Sequence, residues 1–100
     1  MRSNIIYLPP AQEDLHDIFD YIKRERPSAA ERLRQLFDRA ISTLAEFPLI
    51  GCVPRDEHLQ RLGYRVMIVN NYLVFYIIKE KTVEIHRVIH GRRRYNFLLP

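Results

Sequence analysis

Basic and imidazole side chains are concentrated near the end of the chain, where they could bind an anion or transfer a proton. Four arginines lie within eight residues, with two histidines among them: Arg87, Arg92, Arg93, Arg94, His86 and His90. Guanidinium groups bind phosphates and carboxylates, and an imidazole with a pKa near neutrality exchanges protons. The cluster therefore predicts a polyanionic or acidic partner. The alternative is a solvated basic segment without a ligand.

The charge of the chain is uneven between its halves. The 100 residues include 16 Lys and Arg and 12 Asp and Glu, which gives a net charge of +4 and a pI near 9.5. Residues 51–100 hold nine of the basic residues and four of the acidic ones, a balance of +5. The second half is therefore the half expected to meet an anionic partner.

The composition excludes several classes of protein. With 47% hydrophobic and 28% charged residues, the chain is far from the composition of disordered chains. Cys52 is the only cysteine, which excludes an internal disulfide and a multi-thiolate metal site. No apolar run approaches the roughly 20 residues of a membrane-spanning helix. We expect one cytoplasmic domain over residues 1–100, without a membrane segment.

Hydrophobic periodicity predicts six elements. Helices are indicated where apolar residues recur every three or four positions, and strands where β-branched and aromatic residues run between turn residues. The elements are a strand at 4–8, helices at 11–26 and 28–47, and strands at 64–69, 72–78 and 83–89. The order β-α-α-β-β-β predicts an α+β fold, in which an N-terminal helical hairpin packs on a mainly antiparallel four-stranded sheet.

Local signals predict the connections and the position of the site. Ser28 followed by Glu31 has the spacing of a capping box at the start of the second helix. Residues 48–63 lack a clean period and are predicted to be a loop, which is long for so small a domain. The candidate site is predicted on the sheet face opposite the hairpin and at the end of the last strand, and comprises Arg65, His90, Arg92, Arg93 and Tyr95.

Several local motifs follow one another in an order and spacing shared by one group of proteins. They are Leu8-Pro9-Pro10-Ala11, Tyr21-Ile22, Phe47-Pro48, Ile50-Gly51, Tyr64-Arg65, Asn71-Tyr72, Val74-Phe75-Tyr76 and Arg87-Val88-Ile89-His90-Gly91-Arg92-Arg93. On these motifs the chain resembles the RelE/ParE superfamily of type II toxin–antitoxin toxins over nearly its whole length. The resemblance implies a small bacterial protein that inhibits growth and is neutralised by a cognate antitoxin, usually encoded beside it.

The superfamily contains two activities, and the resemblance implies one or the other. RelE-like members cleave mRNA in the ribosomal A site, whereas ParE-like members poison DNA gyrase and have no known chemistry of their own. Because one fold serves both, only the site residues can separate them. The expected target is therefore either DNA gyrase or the ribosome with its mRNA.

If the protein is RelE-like, the resemblance implies catalytic roles for Arg65, His90 and Tyr95. A metal-free ribonuclease must deprotonate the 2′-hydroxyl, stabilise the phosphate and protonate the 5′-oxygen, which Arg, His and Tyr side chains can do. Other interpretations stay open: Arg65 is an exposed strand residue or an ion-pair partner, and His90 hydrogen-bonds to the backbone. The predicted binding residues, for phosphate or an acidic antitoxin, are Arg87, Arg92, Arg93 and Arg94.

The segment before the second strand favours the ParE-like branch. The best-understood RelE-like nucleases carry closely spaced lysines there, whereas this segment contains Asp56 and Glu57 and no lysine. Two acidic side chains would repel a phosphate backbone. The mRNA endoribonuclease remains an alternative, as does an inactivated relative that acts only as a binding module.

No metal or cofactor is predicted. His86 and His90 are four residues apart on a predicted strand, which would place them on one face about 13 Å apart. That separation is too great for both imidazoles to bind one ion.

Overall fold

The computed structural model describes residues 2–91 and confirms the predicted order of elements. The helices and strands are β1 (Asn4–Tyr7), α1 (Pro9–Glu25), α2 (Pro27–Glu46), a 3-10 turn (Pro48–Ile50), α3 (Glu57–Arg61), β2 (Tyr64–Val69), β3 (Tyr72–Lys79) and β4 (Thr82–His90). The α+β fold predicted from the sequence is therefore the observed one. None of the helices within residues 2–91 has the combination of length and hydrophobicity that a membrane-spanning segment needs.

The four strands form one mixed sheet in the order β1-β4-β3-β2. The β2–β3 and β3–β4 pairs are antiparallel hairpins, and their turns contain Asn70 and Glu80 with positive φ angles of 55° and 56°. The first strand pairs in parallel with the last, and α1 and α2 connect it to β2 at the other side of the sheet. This arrangement leaves β1 and β2 at the two edges.

The helical hairpin packs on one face of the sheet. Phe19 of α1 meets Phe37 of α2 edge to face, with ring centroids 5.8 Å apart, and Phe37 also contacts the Tyr72 ring of β3. The buried side chains of this main core are Ala11, Leu33, Phe37, Leu44, Val69, Val74, Tyr76, Val83, Ile85 and Val88. The apolar stripes predicted for both helices therefore face the sheet, as amphipathic periodicity requires.

The second helix begins one residue earlier than predicted, and without the capping box. Arg26 alone separates the two helices, and Pro27 occupies the first position of α2. Proline suits that position because its missing N–H would have no helical partner there. No side chain caps the α2 N-terminus, so the Ser28–Glu31 prediction is wrong.

The segment predicted to be a loop contains ordered elements and covers part of the other sheet face. Asp56 caps α3 by accepting a hydrogen bond from the N–H of Leu59 at 3.1 Å. Leu59 is fully buried in a second apolar cluster with Tyr64, Phe75 and Ile89. The prediction of an irregular loop over residues 48–63 is therefore wrong in part, since a five-residue helix and a 3-10 turn lie within it.

A β-bulge interrupts β4 where it pairs with β3. The register passes from Ile85 directly to Arg87, so His86 has no residue opposite it. One extra residue exchanges the faces of all side chains beyond it. Ile85 and Val88 consequently both face the helices, although they are three positions apart in the strand.

Candidate functional site

The Arg65 guanidinium donates hydrogen bonds to the backbone of the same chain. It lies on the helix-packed face of β2, where Val69 is buried and Met67 packs against the main core. The Nη2 atom donates to the carbonyl oxygens of Leu49 and Gly51 at 3.0 and 2.7 Å. The prediction that Arg65 lies on the opposite face is therefore wrong, because strand alternation groups it with the core residues.

The same 3-10 turn is fixed by Tyr76 of β3. The buried Tyr76 hydroxyl donates to the Pro48 carbonyl at 2.7 Å and accepts from the Gly51 N–H at 3.0 Å. A Cβ atom at Gly51 would press on this hydroxyl and lie 2.7 Å from the Val66 carbonyl oxygen, so only glycine fits. Cys52 and Val66 then form an antiparallel bridge with two hydrogen bonds of 2.8 Å.

Arg87 joins the bulge of β4 to the first helix. Its Nε and Nη2 atoms donate to the two carboxylate oxygens of Asp14 at 2.7 and 2.8 Å, and the N–H of Val88 donates to the same carboxylate at 2.9 Å. Both charged side chains are largely buried, at 18% and 14% exposure. The hydrogen bond to Asp14 raises the pKa of Arg87. This guanidinium therefore has a structural partner within the described chain.

His90 lies at the end of β4, as predicted, but its ring is on the helix side. The ring meets that of Tyr72 edge to face at 5.4 Å. Together with Asp17 and Tyr21 of α1, it lines an open groove of about 580 Å³. Arg65 and His90 thus share a sheet face but lie at different ends of it, since Arg65 is the second residue of β2 and pairs with Tyr76, whereas His90 pairs with Tyr72.

The open face of the sheet carries a polar network that the sequence analysis did not predict. The Tyr64 hydroxyl lies 3.1 Å from Nδ1 of His86, whose Nε2 donates to Glu84 at 3.1 Å. Lys79 forms an ion pair with the same carboxylate at 3.4 Å. The His86 hydrogen bond lowers the pKa of Glu84, and burial raises that of Tyr64. The alternation of Glu84 and His86 was the sequence signal for this pair.

The bulge places His86 and His90 on opposite faces. His86 contacts Tyr64 on the open side, whereas His90 contacts Tyr72 beneath the helices. The predicted shared face is therefore wrong, since the extra residue inverts the alternation between them. Among residues 2–91, no group of three or more His, Cys, Asp or Glu side chains could hold a metal ion.

The sequence of this chain matches a known family over most of its length. Residues 5–95 fit the family described as the ParE toxin of the type II toxin–antitoxin system parDE. The chain belongs to this toxin family. The resemblance to the RelE/ParE superfamily inferred from the motifs is thereby confirmed. No curated protein is significantly similar to the toxin in sequence.

Two solved toxin–antitoxin structures share the fold of the toxin. The chromosomal ParDE system from P. aeruginosa superposes with a TM-score of 0.71 and 18% identity, covering 89% of this chain and 96% of that chain. The RelBE2 complex from Mycobacterium tuberculosis gives a TM-score of 0.62 and 24% identity, with coverages of 90% and 99%. At these identities the likeness establishes the fold of the toxin and leaves its target open.

The remaining predicted site residues of the toxin lie outside the described residues. These are Arg92, Arg93, Arg94 and Tyr95. Their predicted binding and catalytic roles stay predictions.

Proposed function

We propose that the toxin inhibits bacterial growth by binding DNA gyrase, without chemistry of its own. The observation that carries this proposal is that two arginines of the predicted site are hydrogen-bonded to other groups of the same chain. Arg65 is bonded to two backbone carbonyls, and Arg87 is bonded to the Asp14 carboxylate. A ribonuclease needs cations aimed at the phosphate as negative charge develops on it. Releasing Arg87 would leave the largely buried Asp14 carboxylate without its counterion, and releasing Arg65 would free the carbonyls of Leu49 and Gly51.

Two further observations favour the ParE-like branch. The family that the chain matches over residues 5–95 is that of ParE toxins. In addition, Asp56 and Glu57 stand at the start of α3, directly before the strand that carries Arg65. Carboxylates at that position oppose the approach of an RNA backbone.

We also propose that a cognate antitoxin neutralises the toxin in the cytoplasm. Both similar solved structures come from toxin–antitoxin systems, and one is described as a complex. The net charge of +4 suits an acidic antitoxin segment, which would be attracted to the toxin before contact.

The test compares the two targets with purified components. The toxin is added to gyrase with relaxed plasmid, and separately to a translation reaction in which cut mRNA ends are mapped. We expect loss of supercoiling and accumulation of cleaved DNA, with intact mRNA. Cut mRNA with unaffected gyrase would reassign the toxin to the RelE-like branch. Inhibition of neither, together with antitoxin binding, would identify an inactivated relative.

A further inference from the structure

The groove of about 580 Å³ beside His90 lies between the first helix and the sheet. We call it the α1 groove; it is lined by Asp17, Ile18 and Tyr21 of α1, and by Tyr72 and His90 of the sheet. Tyr72 begins β3 and His90 ends β4, and the two residues are opposite each other in the strand pair. The α1 groove therefore combines aromatic and apolar walls with a carboxylate.

The elements that form the α1 groove are held together by polar bonds and ring contacts. The Asp14 carboxylate, one turn before Ile18, accepts hydrogen bonds from Arg87 and from the N–H of Val88, which joins α1 to β4. The Tyr72 ring packs between Phe37 of α2 and the His90 ring. A partner would therefore enter a groove that is already formed, with little loss of conformational entropy in the toxin.

Two side chains of the α1 groove are not used by the described fold. Tyr21 is 70% exposed, and Asp17 is also exposed. Neither side chain forms a hydrogen bond, an ion pair or a ring contact with another residue of the range 2–91. The two are four positions apart on α1, so they lie next to each other on one face. Tyrosine is enriched in protein interfaces and at their energetic centres, which makes Tyr21 a candidate contact residue.

The helix that carries these side chains is acidic, although the chain as a whole has a net charge of +4. Residues 9–22 contain four acidic residues and no lysine or arginine. Asp14 is paired with Arg87 and Asp20 with Arg24, whereas the carboxylates of Glu13 and Asp17 are exposed to solvent one turn apart. This part of the toxin surface therefore attracts a cation and repels an anion.

We propose that the α1 groove binds a segment of DNA gyrase that presents a lysine or arginine side chain. The inference rests on the proposed function, because it takes gyrase as the target. The cation would lie between the Asp17 carboxylate and the face of the Tyr21 ring, both of which attract positive charge. The methylene groups of the same side chain would pack against Ile18. An enzyme that binds DNA presents such side chains to neutralise phosphates.

The charge of the α1 groove favours gyrase over the other occupants. An acidic antitoxin segment would be repelled by Glu13 and Asp17. Symmetric pairing of two copies of the toxin through this groove would bring the same carboxylates together. A third occupant is the basic sequence of the chain itself, Arg92, Arg93 and Arg94, which follows Gly91. The experiment below separates all of these from gyrase.

The test measures inhibition of purified gyrase on relaxed plasmid by the full-length toxin and its groove variants. Tyr21→Ala removes the ring and should raise the half-inhibitory concentration at least about tenfold. Tyr21→Phe keeps the ring and should stay within about threefold of wild type, since the ring face supplies the attraction. Asp17→Lys should raise the half-inhibitory concentration at least about tenfold, and added salt should reduce the difference because it screens the charges.

Glu25→Lys is the matched control for charge. It makes the same change on an exposed residue in the last turn of α1, which does not line the α1 groove. We expect wild-type inhibition by this variant, and unweakened antitoxin binding by Asp17→Lys. Equal melting temperatures for the folded variants would exclude loss of structure as the cause.

Several results would overturn the proposed site. Unchanged or stronger inhibition by both Tyr21→Ala and Asp17→Lys would mean that gyrase does not bind there, and stronger inhibition would indicate release of the chain's own arginines. Equal losses in Glu25→Lys and Asp17→Lys would indicate an effect of net charge alone. Weakened antitoxin binding with normal gyrase inhibition would assign the groove to the antitoxin. A dimer of the free toxin abolished by Tyr21→Ala would assign it to a second copy.

Failure of the proposed function gives a different result. A wild-type toxin that leaves gyrase uninhibited overturns that function and this inference together. A wild-type toxin that inhibits gyrase, with all groove variants equally potent, overturns the α1 groove alone.

Discussion

At the scale of single residues, the toxin bonds several partly buried polar groups to its own structure. Asp14 accepts three hydrogen bonds from β4, and Arg65 and Tyr76 hold the carbonyls of one short turn. Such contacts stabilise modestly when made, but they are expensive to break, because the remaining partner stays buried without a hydrogen bond. These residues therefore control stability as well as shape.

Replacing the carboxylate that holds Arg87 should destabilise the toxin. We expect Asp14→Asn to lower the free energy of unfolding by about 2–3 kcal/mol, since Arg87 keeps its charge and loses its counterion. Urea denaturation would measure the change. Asp17→Asn, an exposed substitution one turn later on α1, should alter stability by no more than about 0.5 kcal/mol. Equal effects of the two would contradict a structural role for the ion pair.

The close approach at Gly51 predicts a coupled pair of substitutions. Gly51→Ala should cost about 1–3 kcal/mol, because the added methyl meets the Tyr76 hydroxyl and the Val66 carbonyl. Tyr76→Phe removes the first obstacle only. The double variant should therefore lose less stability than the sum of the single changes, as a double-mutant cycle would show. Strict additivity would mean that the hydroxyl is not the obstacle.

At the scale of elements, the β4 bulge decides which side chains share a face. The helices and strands were predictable because hydrophobic periodicity of 3.6 or 2 residues is set by burial. The bulge was not, since no residue type marks the position of His86 as unpaired. Its consequence for His90 was therefore missed. The ion pair of Arg87 was also invisible in the sequence, because its partner Asp14 lies 73 residues away.

The network across β2 and β4 predicts a dependence of stability on pH. The His86 hydrogen bond, with a smaller effect of Lys79, lowers the pKa of Glu84 from its ordinary 4.5. A carboxyl whose pKa is lowered by folding stabilises the fold above 4.5, and this contribution is lost as pH falls through the lower folded value. Unfolding free energies measured across this range should decline more in wild type than in Glu84→Gln. Identical declines would count against the network.

At the scale of the whole molecule, the described residues of the site predicted from the sequence do not form one cluster. Arg65 bonds backbone carbonyls at the 3-10 turn, whereas His90 lies at a different end of the sheet. Arg65 was correctly placed at the start of a strand, but its carbonyl partners come from a turn whose position depends on tertiary packing. The exposure of Ile50 and Ile68, at 54% and 70%, was missed because exposed and buried apolar residues look alike in a sequence. Ile50 and Ile68 differ from core residues only in which face of the fold they occupy.

The structural use of Arg65 predicts how its loss affects growth inhibition. Arg65→Ala should lower the melting temperature and weaken toxicity together, because the 3-10 turn loses the hydrogen bonds at Leu49 and at Gly51, the residue that follows it. The variant should regain its toxicity in cells grown at lower temperature, because it folds there. Thermal melts and growth curves at two temperatures would test this. A variant with wild-type stability that is harmless at both temperatures would instead indicate direct participation in activity.

The parallel pairing of β1 with β4 determines at what point of its synthesis the protein can complete its sheet. Asn4–Tyr7 leaves the ribosome first, but its partner, Thr82–Ile85, is among the last described residues to be made. Asp14 likewise has no ion-pair partner until Arg87 has been synthesised. Contacts of such sequence separation form late, because a long loop must close first. A nascent chain that lacks β4 therefore cannot form this sheet. The toxin can become active against the cell that makes it only after the ribosome has translated β4.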